Sequence, residues 1–272
     1  MRFRSHVARP FDFSLWSNRI PFALAALVAA AAGYRWADGA PDGMMWAPVH
    51  ALVLWSLARE VDPDRYLTAH LAAAGAGVWV LSGRPGPELL AAAALILATR
   101  LVLNSTGRRP VSTDLVVLGI LAAAVSFTRV GWVAAVALAV AIYADARLAG
   151  SPDLAPVLTA SAAVVGATLV ATATRAFSVP VVRVEPWVVA AAGVAAILAL
   201  LRTPPEPWSV VDARAAWRME QGRLHGARAL LAVAAFLMAL LHGQDAVRDV
   251  PLVGLLLLAV ISSEVERSRR RR

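Results

Sequence analysis

The stretch from Arg183 to Arg202 constrains this chain more than any other feature. A basic residue comes first, then Pro186 and Trp187, then an apolar run without charge, then a second arginine. Nineteen residue steps separate the two arginines. At about 1.5 Å per step a helix reaches about 28 Å, close to the ~30 Å hydrocarbon thickness of a bilayer. The arginines can then snorkel to opposite surfaces while the run between them sits in lipid. The frame recurs from Arg84 to Arg100, from Arg129 to Arg147 and from Arg248 to Arg267. A repeated unit of this kind predicts an all-α fold, a polytopic bundle of transmembrane helices.

Composition agrees. Hydrophobic residues make up 59% of the 272 positions and charged residues only 16%, against about a quarter charged in ordinary soluble domains. The apolar residues are spread along the whole chain, so a soluble domain on a single anchor is not expected. The net charge of +8 could suggest nucleic acid. The arginines flank apolar runs, however, which is where a bilayer places them, and no nucleic-acid partner is expected. The 26 basic residues are all arginine. With no cysteine, disulfides, thiolate nucleophiles and Cys-ligated metals are excluded within this chain.

Ten spans are expected, near 20–36, 44–58, 64–82, 87–103, 113–127, 131–147, 153–175, 186–201, 227–242 and 250–264. The fifth and ninth have short apolar cores. Residues 1–19 read as a cytoplasmic N-terminal segment ahead of an uncleaved first helix, and 265–272 as a basic cytoplasmic tail. Short connections predict up-down hairpins. Prolines 21, 48, 63, 87, 152, 186 and 251 stand near the starts of runs, where a missing N–H costs nothing. Asp62-Pro63-Asp64 and Ser151-Pro152-Asp153 both read as an N-cap, proline at the first helical position and an acid facing the helix dipole. Leu-Thr-Ala follows each, at 67–69 and 158–160, which hints at an internal duplication. Ten spans is also the number in the drug/metabolite transporter architecture. The offset here relates segments of the same orientation, unlike an inverted five-plus-five repeat.

Residues 203–226 read as an amphipathic interfacial segment. After Pro204, Pro205 and Pro207, the run Ser209-Val-Val-Asp212 fits a capping box. Val210, Ala213, Trp217 and Leu224 can share the apolar face of a short helix on the inner surface.

Two polar loops are the candidate inner-surface cluster. The first holds Arg59, Glu60, Asp62, Asp64 and Arg65. Its three carboxylates could hold a divalent metal; the favoured reading is a solvated loop whose acids cap the third span and pair locally with the two arginines. The acid-rich pattern of CDP-alcohol phosphotransferases and the paired acidic motifs of membrane prenyltransferases are absent. The second loop runs from Asn104 to Asp114. Its arginines and hydroxyls could grip a phosphate or a lipid head group, while Gly107 reads as a helix stop and Asp114 suits the next helix N-terminus. Within the membrane, Ser161, Thr168, Thr172 and Arg175 fall on one face of the seventh span. That stripe is expected to face the bundle interior, as a packed interface or the wall of a solute path.

Histidines 50, 70, 225 and 242 lie near span ends, and none forms an H-x-x-x-H or His-acid pair at ligand spacing. Nucleophile elbow, phosphate-loop and dinucleotide fingerprints are missing too. No catalytic residue, metal ligand or cofactor is therefore assigned. The expected partners are membrane lipids, with another membrane protein or a second copy of this chain beside them. Three functions follow in order: a non-enzymatic structural or accessory membrane protein, a small-solute permease, and a lipid-head-group enzyme built on the 59–65 loop.

Orientation follows from arginine. With the N-terminus inside the cell, segments assigned to the inner side carry 20 of the 26 arginines. This places the protein in the cell membrane with both termini cytoplasmic. A reporter fused after Arg272 is expected to be active only when its folding compartment is the cytoplasm; activity on the outer side would overturn an even number of spans.

Overall fold

The computed structural model describes residues 13, 16–106, 110–128, 130–148, 156–160, 162–163, 166, 169, 185–208, 210–212 and 217–270. Among the described residues the regular structure is helical apart from one short β ribbon. The helices described in full are α1 (Trp16–Ala37), α2 (Ala47–Val61), α3 (Tyr66–Leu81), α4 (Leu89–Leu103), α5 (Ser112–Val125), α6 (Gly131–Leu148), α7 (Pro186–Leu201), α8 (Gln221–His242) and α9 (Val250–Arg270). Residues 156–160 are helical as well. These nine helices coincide with nine of the ten expected spans. Most of the remaining one, 153–175, lies outside the described residues.

Length tempers the ten-span expectation. Three stretches are long and apolar enough to cross a bilayer: Asn18–Ala37, Gly131–Leu148 and Gln221–Arg269. The last contains both α8 and α9, joined by the 3-10 turn Gly243–Asp249. The helices Tyr66–Leu81, Leu89–Leu103, Ser112–Val125 and Pro186–Leu201 are apolar but shorter. The 14 residues of α5 reach only about 21 Å, less than a full hydrocarbon core.

The helix starts confirm part of the proline reading. Pro48 and Pro186 stand in the first turns of α2 and α7. Pro63 does not start α3, whose N-cap is Arg65, without a side-chain bond to the helix. Asp62 instead closes α2, and its carboxylate accepts from the Thr68 side chain on α3 and from the distant Arg228 and Ser262 rather than from the first backbone N–H groups of α3. Helix α4 stops at Asn104, which takes the left-handed conformation (φ 50°). The expected stop, Gly107, lies outside the described residues. Asparagine tolerates that backbone better than most non-glycine residues because its short polar side chain can hydrogen-bond the local backbone. Asp114 does what its position predicts: its carboxylate accepts the Val111 N–H at 3.1 Å ahead of α5.

The amphipathic helix expected over Ser209–Leu224 does not form. Residues Val210–Asp212 pair antiparallel with Trp217–Arg218, Val210 opposite Arg218 and Asp212 opposite Trp217, with an irregularity between them. Val210 and Val211 are β-branched and favour extended backbone, and the prolines before them favour the same conformation. Leu224, expected on the surface helix, lies inside α8, which begins at Gln221, a turn and a half earlier than its apolar run.

One contiguous core, rich in alanine, runs through the bundle. Helix α4 occupies its middle and packs on α2, α5, α6 and α8. Its Ala91, Ala94 and Ala98 are fully buried, as are Ala134, Ala135 and Ala139 on α6. Small side chains let helix backbones approach closely, which is where packing energy comes from when lipid removes the hydrophobic gradient. Most consecutive helices touch, as hairpins should. Among the described helices α6 and α7 do not touch, and neither do α3 and α4, which both pack on α2. The connector between them turns at Gly83 (φ 83°) and crosses the start of α2, where His50 lies between the carbonyl oxygens of Trp46 (2.9 Å) and Pro87 (3.1 Å). A Cβ at Gly86 would collide with that imidazole.

Two substitutions test the stop of α4. Asn104→Gly should leave stability unchanged to within a few tenths of a kcal/mol, whereas Asn104→Val should lower it by about 1–2 kcal/mol, because a β-branched residue fits the left-handed conformation poorly. Denaturant unfolding in detergent micelles reads the difference, and equal stabilities would remove the left-handed assignment.

Candidate functional site

Asp62 is the polar centre of the bundle. It sits where α2 ends, and only 1% of it is exposed. One carboxylate oxygen accepts from Arg65 Nη1 at 2.6 Å and from Arg228 Nη2 at 3.3 Å. The other accepts from Thr68 Oγ1 at 2.7 Å and Ser262 Oγ at 2.6 Å. A carboxylate offers about four lone-pair positions, so this one is fully subscribed. Arg228, 3% exposed, is equally occupied. Its Nε donates to the Val61 carbonyl at 2.6 Å and its Nη1 to Ser263 Oγ at 2.7 Å. Ser263 passes its own proton back to the Ala259 carbonyl. Side chains from α3, α8 and α9 thus meet at the end of α2.

The same end of the bundle carries further buried pairs. Arg100 Nε of α4 lies 2.7 Å from Glu60 Oε1 of α2, and its Nη2 reaches Ser56 at 3.3 Å. Arg223, in the first turn of α8, bonds the Val102 carbonyl at 3.2 Å and lies 3.5 Å from Asp145 of α6. The chain leaving α7 joins this layer through Arg202, 3.9 Å from Glu264, and through Arg267, which bonds the Thr203 carbonyl. The connector beyond it is tied down twice: the Trp208 N–H donates to Asp64 at 3.1 Å and Gln221 donates to the Pro204 carbonyl at 2.6 Å.

The first polar loop is therefore not a solvated loop. Glu60 and Asp62 are buried, and each faces arginines supplied by other helices. Its local pairing holds at Arg65. Arg59 donates to the Pro63 carbonyl at 2.8 Å and stacks 4.3 Å above the Tyr66 ring. The three carboxylates bond different groups: Glu60 meets Arg100, Asp62 meets Arg228 and Arg65, and Asp64 accepts the Trp208 N–H. Among the described residues no three acidic, histidine or cysteine side chains gather at metal-holding distance. Asn104 and Asp114 act on their own helix ends and do not join this cluster. The stripe of Ser161, Thr168, Thr172 and Arg175 lies outside the described residues.

Sequence reasoning missed Arg228, Arg223, Asp145, Ser262 and Ser263. Reading each arginine as a membrane flank hid the first two. Asp145, the acid inside the sixth expected span, was the available signal, because an ionisable residue there needs a partner.

A second polar layer closes the opposite end. His242, the last residue of α8, donates through Nδ1 to Asp249 at 2.6 Å. Its Nε2 is 3.7 Å from Glu88, which also lies 3.5 Å from Arg248. Glu88 stands in the connector just before α4. Burial pushes its carboxyl upward, but hydrogen bonds from His242 and Thr128 and the nearby positive charges outweigh it, leaving the carboxyl below its ordinary value. Seven positions separate His242 from Asp249, across the 3-10 turn, so no ligand-spacing pattern could reveal the pair.

Breaking the central pair should be costly. Asp62→Ala would leave Arg228 buried without its counter-charge, and a loss of about 3–5 kcal/mol is expected. Asp64→Ala removes an acceptor of the exposed Trp208 N–H and a more distant charge near Arg228, and should cost clearly less, about 1–2 kcal/mol. Thermal unfolding of the purified protein in detergent compares the two, and similar losses would contradict the central role of Asp62.

Comparison with known proteins provides no analogy for this arrangement: no family model, no curated protein and no solved structure matches the chain.

Proposed function

We propose that this chain is a multi-pass protein of the cell membrane that works as a non-enzymatic scaffold. In this reading the nine helices and the 153–175 stretch make ten crossings, and both termini are cytoplasmic. The shorter helices are accommodated by local thinning of the bilayer and by snorkelling of the arginines that flank them. Large apolar side chains on the periphery support burial in lipid. Leu27, Val78, Val116, Ile120, Ile197 and Leu201 are each more than half exposed, an apolar surface that water would not tolerate at this extent.

The observation that carries the scaffold reading is the saturated shell of Asp62. The carboxylate that a head-group enzyme would use as base or metal ligand already accepts four protein donors. Between the two polar layers, the described interior is apolar. Thr99 of α4, buried there, returns its proton to the Leu95 and Ile96 carbonyls of its own helix. Polar groups concentrate at the ends of the bundle and close on one another. That arrangement holds helices in register, and among the described residues it favours neither a hydrated path nor a reactive group. The partners of such a scaffold are lipids, a second membrane protein or another copy of the chain.

Because the chain has no cysteine, single replacements report water access directly. Cysteines at Ala98, Ala139 and Ala235, all fully buried, should resist a membrane-impermeant maleimide in sealed vesicles of either orientation. A cysteine at the exposed Asp38 should react in one orientation. Reaction at the three interior positions would reveal a wet path and replace the scaffold by the permease.

A further inference from the structure

Beside the charged layer, α7 and α9 leave a groove of about 590 Å³ open on the periphery. Leu198, Ile261 and Val265 line its apolar part, and Arg202, Glu264 and Arg269 line its polar part. The two parts are ordered along the helix. Ile261, Val265 and Arg269 are spaced by four on α9 and share one face. About 12 Å of rise carries that face from its apolar to its charged end. The apolar end points towards the middle of the bundle. The apolar end lies level with Asp62, since α9 passes Asp62 at Ser262, beside Ile261, and the charged end lies further out, with Arg269 about two turns later. Ile261 and Val265 are 58% and 48% exposed, so the bundle leaves this wall uncovered.

The charge at the mouth is unbalanced. Three guanidinium groups, of Arg202, Arg267 and Arg269, stand around the single carboxylate of Glu264. Arg267 claims that carboxylate at 2.9 Å, while Arg202 remains 3.9 Å away with more than half of its side chain exposed. An exposed pair at that distance is weak. Arg269 is exposed and makes no ion pair among the described residues. Three more arginines follow it in sequence.

We propose that this groove binds one anionic phospholipid of the inner leaflet. An acyl chain lies along Leu198, Ile261 and Val265, and the phosphate sits between Arg202 and Arg269. The proposal rests on the membrane-embedded reading with the Asp62 end facing the cytoplasm. Three features select this occupant. Polarity runs along the helix axis, as it does in a lipid. The excess charge is positive and guanidinium, which bonds phosphate oxygens in a planar fork. The cytoplasmic leaflet is the anionic one. A free phosphate would leave the apolar wall unused, and a partner helix would leave Arg202 and Arg269 without a counter-charge.

Native mass spectrometry tests the site on the intact chain extracted from vesicles of phosphatidylcholine mixed with phosphatidylglycerol. The unaltered protein should retain one phosphatidylglycerol in preference to phosphatidylcholine. Arg202→Gln with Arg269→Gln should reduce that preference by about tenfold or more, the effect of losing charge-assisted bonds. Arg202→Lys with Arg269→Lys, which keeps the charge and the fold, should restore part of it. Val265→Trp should block the groove and lower retention of the lipid with all arginines present. Arg271→Gln with Arg272→Gln should leave the preference in place. Equal retention of both lipids by the unaltered protein would overturn the proposal. So would a preference that follows the tail arginines instead of Arg202 and Arg269, or displacement of the lipid by inorganic phosphate. These readouts do not depend on which side the termini face. A reporter result placing Arg272 outside would fail the topology while leaving lipid retention to be judged separately.

Discussion

A carboxylate and a guanidinium taken out of water together dominate the energetics of this bundle. Stripping either group of its hydration costs several kcal/mol even after the surroundings relax. Asp62 and Arg228 are both almost completely buried, so their mutual attraction alone would not offset that cost. The hydrogen bonds around them make the difference. Thr68 and Ser262 complete the carboxylate, and Val61 and Ser263 complete the guanidinium. Every one of those partners must be in place for the pair to be tolerated. A helix that slides by one residue leaves a buried charge unmatched, so the pair fixes the relative heights of α2, α3, α8 and α9.

That restraint matters because the rest of the interior is poorly discriminating. A core of alanine and leucine packs nearly as well after a rotation or a slide, since the surfaces repeat every turn. Close backbone approach at Ala91, Ala94 and Ala98 gives contact but little register. Buried polar groups exact a penalty for every wrong register, and they stand at both ends of the bundle. One layer joins α2, α3, α4, α6, α8 and α9; the other joins the start of α4 to the turn between α8 and α9. With both ends fixed and the middle apolar, the helices are pinned like staves between two hoops.

The helices were legible in the sequence because an apolar helix is a local property. An apolar run, a flanking arginine and a proline at the start all lie within about twenty residues of one another. Asp62 was visible as a candidate, but its surroundings were not. Its partner Arg228 is 166 positions away and was indistinguishable from the arginines that flank other runs. The solvated-loop reading failed for that reason: charge density along the chain says nothing about which charges the fold brings together. Residues 209–224 misled in a different way. The spacing of Val210, Trp217 and Leu224 matches a helix face, but β-branched Val210 and Val211 and the prolines before them favour extended chain. Backbone preference prevailed over periodicity because this short segment has little apolar surface to bury.

The exclusive use of arginine has a structural consequence at this centre. Arg228 donates from three nitrogens to three acceptors: a backbone carbonyl at the end of α2, the Asp62 carboxylate and a serine on α9. The acceptors lie around the rim of one planar fork, which holds its donors at fixed angles. A lysine also has three protons, but they converge on one nitrogen, and the same acceptors would have to crowd around it. Lysine also loses its charge more readily on burial, which would leave Asp62 facing a neutral amine. With arginine as its basic residue, one side chain can join three separate points of the bundle.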